Sequence, residues 1–302
     1  MDLNHILFLV ALLNLLGDLY NIYSFRRHIP RWIAVLNLGG LAGCLAAKLL
    51  APAEAGFISI GIFVLYFLII KATLRAPPKR ASFSSRYTRL LIALTGACYL
   101  YQVSQTPLSL SGLVGVGAFY GPLFEAGEWW RLFTAQFLHW GFAHLAFNML
   151  GLWVLGPRVE SRLGATRFIA AYLLCGAGGI LIAWGASKSM ASEDALIMLG
   201  ASASVLALVG ISAAVALTEY RRLGNIAAKA QLSTMIQIVA LQAIFDAMVP
   251  EVSSTAHLGG ALCGFIVGLV FSRGAIALHR ESALQSPESQ PQPPLTTEDS
   301  PL

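Results

Sequence analysis

Charged side chains are scarce in this chain: Asp, Glu, Lys and Arg make up 12% of its 302 residues, whereas hydrophobic residues make up 57%. A soluble domain of average composition has about 25% charged residues. The scarcity excludes an ordinary soluble domain and predicts an all-α polytopic membrane protein that resides in a lipid bilayer. The net charge of +5 does not indicate a nucleic-acid partner, because the basic residues lie in short loops between apolar runs.

Cysteine is also sparse, and its positions argue against the usual cysteine chemistry. The four cysteines all lie inside apolar runs: Cys44, Cys98, Cys175 and Cys263. None has the spacing of a metal-ligand set, so we expect no disulfide framework, no bound metal and no cofactor. A cleavable signal is missing as well. Residues 6–23 lack a preceding basic region and a small-residue cleavage site, so we expect a retained span.

Long apolar runs are abundant, and about 20 apolar residues suffice to cross a bilayer as a helix. Nine segments qualify: 5–24, 32–51, 56–74, 89–105, 136–156, 167–186, 195–217, 231–248 and 255–272. Lys and Arg collect in alternate loops, whereas the connections 52–55, 187–194 and 249–254 hold only Lys188 as a base. Because basic loops mark the cytoplasmic side, we expect the N-terminus outside and the C-terminus in the cytoplasm.

The nine segments divide into two blocks. Residues 1–75 are predicted to form a three-span N-terminal transmembrane block, and residues 76–88 a basic cytoplasmic linker. Six further spans follow in residues 89–273. The tail, residues 274–302, is rich in Ser, Pro and Gln, so we expect it to be disordered and cytoplasmic.

The seventh segment contains a cluster of small residues around Ser202, namely Gly200-Ala201-Ser202-Ala203-Ser204. Small side chains let helices approach closely in lipid, and the last segment offers a partner with Gly260, Gly264 and Gly268. His257 precedes these glycines. A serine in a membrane helix is commonly structural, and a histidine can serve as an interhelical hydrogen-bond donor. An ionisable group inside a span is nevertheless a functional candidate.

Two further polar residues, His144 and Asn148, lie four positions apart in the fifth segment and therefore on one helix face. Under the predicted topology, segments five, seven and nine run in the same direction, which puts this pair, Ser202 and His257 near the outer ends. His257 could then act as the base for a Ser202 nucleophile. His144, Asn148 and backbone N–H groups near Ser202 could stabilise an oxyanion. Hydrolysis also requires a water-filled cavity open to the outer face.

These motifs together resemble those of the rhomboid intramembrane serine proteases. The matching residues are Trp130-Arg131, His139, His144, Asn148, Gly200-Ala201-Ser202, Ala256-His257-Leu258-Gly259-Gly260, and Glu160 with Leu163-Gly164 and Arg167-Phe168. The resemblance covers residues 89–273 and implies a six-helix rhomboid-like protease core, to which three additional N-terminal transmembrane helices are joined.

The resemblance also implies roles for single residues. Ser202 would be the nucleophile and His257 the base of a Ser–His dyad, while His144 and Asn148 would bind the oxyanion. Trp130-Arg131 would brace a loop half submerged in the membrane. Substrates would be single-span transmembrane proteins cut near the outer leaflet. Because no transit peptide is visible, a bacterial plasma membrane is the expected location.

Several features depart from the family's pattern. Ala203 and Val252 replace frequent glycines, and Leu206 stands where an aromatic side chain often packs beneath the histidine. No carboxylate is assigned as a third catalytic member, and Asp246 is left out of the predicted site. Two alternatives stay open: a catalytically inactive rhomboid-like protein that binds membrane clients, and a transporter or proton channel that uses His144 and His257. The sequence leaves the substrate and the oligomeric state open.

Overall fold

A computed structural model describes residues 85–105, 109–189, 196–248 and 253–284 of the chain. The three predicted N-terminal spans, most of the predicted linker and the last part of the tail lie outside the described residues. Within them the fold is mostly helical, as predicted, with six long helices and several short elements. The long helices are α1 (Arg86–Gln105), α5 (Phe142–Leu163), α6 (Ala165–Ser189), α7 (Ser202–Leu223), α8 (Ile226–Met248) and α9 (Ser254–Leu284).

Short elements connect α1 to α5 and α6 to α7. They are α2 (Leu110–Gly115), β1 (Phe119–Tyr120), α3 (Gly121–Glu125), α4 (Arg131–Thr134), a 3-10 turn (Ala135–Phe137) and β2 (Ile197–Met198). The two strands form an antiparallel pair, with Phe119 opposite Met198 and Tyr120 opposite Ile197. This pairing joins the two connections on the same side of the bundle.

Three of the described helices are long and apolar enough to cross a membrane: α6, α7 and residues Ser254–Ser272 of α9. This finding confirms the prediction of a helical membrane protein. The total of nine spans, and the direction in which they cross, stay predictions.

Helix α7 lies at the centre of the bundle, and its first half is buried almost completely. Helix α9 packs on it through glycines at intervals of four residues. A Cβ at Gly260 would overlap the carbonyl of Ala203, and one at Gly264 would overlap the carbonyl of Ala207. The two helices therefore run parallel in close contact, which confirms the predicted pairing of these small residues.

Helix α6 packs equally closely on both. A Cβ at Gly179 would lie 2.5 Å from the carbonyl oxygen of Ala256, and one at Gly176 would overlap the hydroxyl of Ser204. That hydroxyl donates a hydrogen bond to Oε1 of Gln136, at 2.8 Å. The polar contact thus connects the start of α7 to the connection that precedes α5.

Two helices begin later than the apolar runs predict. Helix α7 begins at Ser202 rather than near residue 195, and α5 begins at Phe142 rather than near residue 136. For α7 the reason is local: Gly200 has a φ of +120°, which a helix cannot accommodate, and its N–H donates to the carbonyl of Ala135 at 2.9 Å. The apolar residues before Ser202 form β2 and the turn that follows it.

Two other boundaries also differ from prediction. Helix α1 begins at Arg86, inside the predicted linker, because the Glu160 carboxylate of α5 accepts the N–H groups of Tyr87 and Thr88 at 3.1 and 2.8 Å. Such a carboxylate satisfies N–H groups that have no partner within the helix. Helix α9 continues to Leu284, beyond the predicted start of the disordered tail. The sequence there has no proline before residue 287 to stop it.

The connection between α1 and α5 is organised around Arg131. Its side chain is buried; Nε contacts Glu128 Oε2 at 2.6 Å, and one terminal nitrogen donates to the carbonyls of Val114 and Ala118 at 2.7 and 2.8 Å. Arg131 therefore ties Glu128 to the backbone of Val114 and Ala118 and holds the loop in its folded form. The position of this loop, half submerged in the membrane, stays a prediction.

Candidate active site

Ser202 and His257 meet at the same end of the bundle. Ser202 is the first residue of α7, and His257 lies in the first turn of α9, which Ser253 caps by accepting the N–H of Ala256 at 3.2 Å. The Ser202 hydroxyl oxygen lies 2.5 Å from Nε2 of His257. Side chains 55 positions apart in the sequence are thus in hydrogen-bond contact.

The glycine contacts between α7 and α9 explain this meeting. Ala203, which follows Ser202 directly, packs on Gly260, which lies one turn after His257. A tight contact at that point fixes both the distance and the rotation between the two helix ends. The shared depth that the sequence predicts for Ser202 and His257 is therefore present in the structure.

The position of Ser202 at a helix start has an electrostatic consequence. The first N–H groups of a helix have no carbonyl partner within it, and the helix dipole gives that end a partial positive charge. The Ser202 side chain is half-buried at this end. Negative charge that develops near its hydroxyl would therefore meet a favourable field and free donors.

His139 supports the turn that leads into Ser202. Its ring is fully buried, and Nε2 accepts the N–H of Ala201 at 3.4 Å, so this nitrogen must be unprotonated. Gln102 of α1 holds the backbone of His139 from both sides: Oε1 accepts its N–H at 2.9 Å, and Nε2 donates to its carbonyl at 2.6 Å. Sequence reasoning did not find Gln102, because a glutamine near the end of an apolar segment has no distinctive pattern.

His144 lies directly over the turn. A Cβ at Gly200 would stand 2.6 Å from Cε1 and 2.9 Å from Nε2 of His144, so only glycine leaves room for the ring. His144 is half-buried and also packs edge-on against His139, with 5.0 Å between the ring centres. The ring of His144 therefore stands beside the backbone that carries Ser202.

Asn148 follows one turn later in α5. It is buried, and one N–H of its amide donates to the carbonyl of His144 at 3.1 Å. A side-chain amide has two N–H donors, so one remains for another acceptor. The structure thus gathers Ser202, His257, His144 and Asn148 at one end of α5, α7 and α9.

Asp246, which was left out of the predicted site, contacts His257. Both of its carboxylate oxygens lie 2.9 Å from Nδ1 of His257. It lies in the last turn of α8, which ends at Met248, and His257 lies in the first turn of α9, which begins at Ser254. The short connection 249–254 could have indicated a shared end, but the sequence does not specify which face of α8 turns inward.

Comparisons with known proteins indicate the family that the chain resembles. A family model described as the Rhomboid domain matches residues 126–274. The matched range includes Ser202, His257, His144, Asn148 and Asp246. The chain is 31% identical over 203 residues to the rhomboid protease AarA of Providencia stuartii, an alignment that covers 61% of this chain and 72% of that protein.

Two other relatives are longer than the aligned region. The chain is 35% identical over 162 residues to RHOMBOID-like protein 5 of Arabidopsis thaliana, covering 54% of this chain and 50% of that protein. It is 31% identical over 202 residues to the rhomboid protease GluP of Bacillus subtilis (strain 168), covering 65% of this chain and 36% of that protein. The chain therefore spans half or less of the length of these two relatives.

Proposed function

The chain belongs to the rhomboid family and is an integral multi-pass membrane protein, and we propose that it is an intramembrane serine endopeptidase. It hydrolyses peptide bonds of transmembrane protein substrates near the outer leaflet. The observation that carries the proposal is the 2.5 Å contact between the Ser202 hydroxyl and Nε2 of His257. An unassisted serine is a weak nucleophile, and a histidine in this position is the base that activates it.

In the first half of the reaction, the Ser202 oxygen attacks the carbonyl carbon of the peptide bond as His257 takes the hydroxyl proton on Nε2. The tetrahedral intermediate then collapses: the C–N bond breaks, and the imidazolium gives its proton to the leaving amine. In the second half, water attacks the acyl-enzyme and His257 takes the proton of that water. The Ser202 oxygen leaves and recovers a proton from His257, which restores the free enzyme.

The oxyanion of each tetrahedral intermediate needs hydrogen-bond donors aimed at it. We assign this role to His144 and to the free N–H of the Asn148 amide, together with backbone N–H groups at the start of α7. His144 stands over Gly200, and Asn148 lies one turn behind it. A substrate carbonyl beside Ser202 would lie next to all of these groups.

The proposed protease core comprises six spans in residues 89–273. The proposed remainder is a three-span block in residues 1–75, a linker in residues 76–88 and a cytoplasmic tail. Substrates are single-span proteins whose helix unwinds next to Ser202. The excess of basic residues in alternate loops supports an outer N-terminus. A bacterial plasma membrane is the proposed location.

A cleavage assay tests the proposal and separates it from a catalytically inactive client-binding protein. Purified full-length protein is mixed in proteoliposomes with a single-span substrate tagged at both ends. We expect two products from the wild type and none from Ser202→Ala. Ser212→Ala is the matched control, because Ser212 lies on the same helix and its hydroxyl donates to the carbonyl of Leu208, one turn earlier. Equal cleavage by Ser202→Ala would refute the assignment.

A further inference from the structure

The side chain of Asp246 is a buried carboxylate. It is 2% exposed, yet it stands in a helix that belongs to a membrane-embedded bundle. A buried carboxylate is costly there unless it is paired and hydrogen-bonded. Its partner is Nδ1 of His257, which lies 2.9 Å from each oxygen. The carboxylate therefore binds the opposite side of the ring that contacts Ser202.

This contact determines which nitrogen of His257 carries the hydrogen. An ionised carboxylate can only accept hydrogen bonds, so Nδ1 must donate. In the neutral ring, Nε2 is then left with a lone pair, and Nε2 is the nitrogen that faces the Ser202 hydroxyl at 2.5 Å. The other tautomer would set two acceptors against each other at Nδ1 and would leave no base beside Ser202.

Gln242 secures the carboxylate. It lies one turn before Asp246 on the same face of α8, and its Nε2 donates to Oδ1 of Asp246 at 2.7 Å. The same Nε2 lies 3.3 Å from Nδ1 of His257. Because an Nδ1 that carries a hydrogen cannot accept another, the Gln242 amide can serve only the carboxylate. The Asp246 carboxylate thus accepts hydrogen bonds from two side chains, Gln242 and His257.

The His257 ring borders a cavity, so its contact with Asp246 restricts the rotation of the ring. A cavity of about 190 Å³ lies between α7, α8 and α9, and its walls include His257, Asp246 and Gln242. Its apolar walls include Leu206 and Val239. Without its carboxylate partner, the ring could turn into this cavity and away from Ser202.

From these contacts we propose that Asp246, supported by Gln242, is a positioning residue for His257. It fixes the tautomer and the rotation of the ring, and its negative charge stabilises the imidazolium that forms when Ser202 gives up its proton. The Ser202–His257 pair is thus held in place by Asp246, which does not itself contact Ser202 or substrate. The inference rests on the proposed serine-protease function. The ring also faces Ser202 from α7, and His144 of α5 is the other titratable group near it within the described residues.

The kinetic test compares Asp246→Asn with the wild type in proteoliposomes. Replacing the orienting carboxylate by an amide lowers kcat by up to about ten-thousandfold in other Ser–His–Asp sites. We expect a loss of at least about a hundredfold in kcat with KM changed less than about threefold. Asp246→Glu should retain more activity than Asp246→Asn, because it keeps the charge and the cavity can take one methylene more.

Two further variants separate positioning from general stability. Gln242→Leu should lower kcat by about tenfold, because the carboxylate loses its donor while the charge remains. Thr234→Val is the matched control: Thr234 is buried on the same helix and its hydroxyl donates to the carbonyl of Ala230, away from His257, so kcat should not change. Thermal unfolding of each variant in detergent shows whether it is folded.

A spectroscopic measurement decides the role without relying on turnover. In protein labelled with ¹⁵N-histidine, the His257 signals are those missing from His257→Ala. We expect a hydrogen on Nδ1 in the wild type and a mixture of tautomers in Asp246→Asn. A variant Asp246→Asn with wild-type kcat and an unchanged tautomer would overturn the proposal. If the wild type itself cleaves nothing, the proposed function fails, and the tautomer spectra still decide whether Asp246 positions the ring.

Discussion

Gly260 of α9 lies so close to Ala203 of α7 that a Cβ at residue 260 would overlap the Ala203 carbonyl. The contact is adjacent in sequence to Ser202 on one helix and one turn from His257 on the other. Gly264 makes the same close contact with the carbonyl of Ala207, so α7 and α9 pack tightly over more than one turn. The distance between the Ser202 hydroxyl and the His257 ring is therefore a consequence of backbone packing.

Gly260→Ala tests this dependence. The added methyl must push α9 away from α7, and overpacking of this kind typically costs about 1–3 kcal/mol of stability. We expect a lower unfolding temperature in detergent and a clear loss of cleavage activity. Gly96→Ala in α1 is the control, because a Cβ there meets no atom of the described residues within 4 Å. Activity that survives Gly260→Ala unchanged would show that this contact does not set the site.

His144→Ala and Asn148→Ala test the proposed oxyanion donors. Loss of one such donor typically lowers kcat by about a hundred- to thousandfold, because the bond forms in the transition state. We expect that loss in each variant with little change in KM. Asn225→Ala is the matched asparagine control: Asn225 accepts the N–H groups of Ala227 and Ala228 at the start of α8. That change should cost stability but leave kcat intact.

Arg131→Gln tests the loop between α1 and α5. The variant leaves Glu128 and two backbone carbonyls without their charged donor, and a hydrogen bond to a charged group contributes about 1.5–3 kcal/mol. We expect the unfolding free energy to fall by at least about 2 kcal/mol. The comparison is Arg162→Gln, whose partner is Glu219 in a more exposed pair, where the loss should stay below about 1 kcal/mol. Equal losses in the two variants would contradict the account of the loop.

Glu160→Gln tests the cap on α1. The carboxylate accepts from the N–H groups of Tyr87 and Thr88 and from the Thr88 hydroxyl, whereas an amide would turn a donor toward one of them. We expect faster hydrogen exchange at the amides of residues 87 and 88 and a stability loss of about 1–3 kcal/mol. Glu219→Gln, which changes an exposed carboxylate, should leave that exchange unaltered. Unchanged exchange in Glu160→Gln would rule out the cap.

Much of the site could be predicted from the sequence, because membrane topology restricts where polar residues can lie. Three helices, each predicted to run in the same direction with a polar residue near one end, bring Ser202, His257 and His144 together. The stripe of Gly260 and Gly264 also indicated the closest helix contact correctly. These inferences depend on depth and on four-residue spacing, which the sequence carries directly.

The start of α7 and the contact between Asp246 and His257 could not be predicted, because both depend on tertiary contacts. Hydropathy does not separate β2 from α7, since the break is set by Gly200 and by strand pairing across distant connections. Asp246 is one polar residue at the end of an apolar segment. Its contact with His257 depends on the rotation of α8 about its own axis, which periodicity within α8 does not determine.

The most direct test of the central claim is covalent labelling of the resting enzyme with a fluorophosphonate probe, with the modified residue identified by mass spectrometry. The account predicts one adduct on Ser202 in the wild type and no adduct in Ser202→Ala. In His257→Ala, labelling should be at least about a hundredfold slower, because the general base is gone. An adduct on a different serine, or a labelling rate that His257→Ala leaves unchanged, would contradict the claim that His257 activates Ser202.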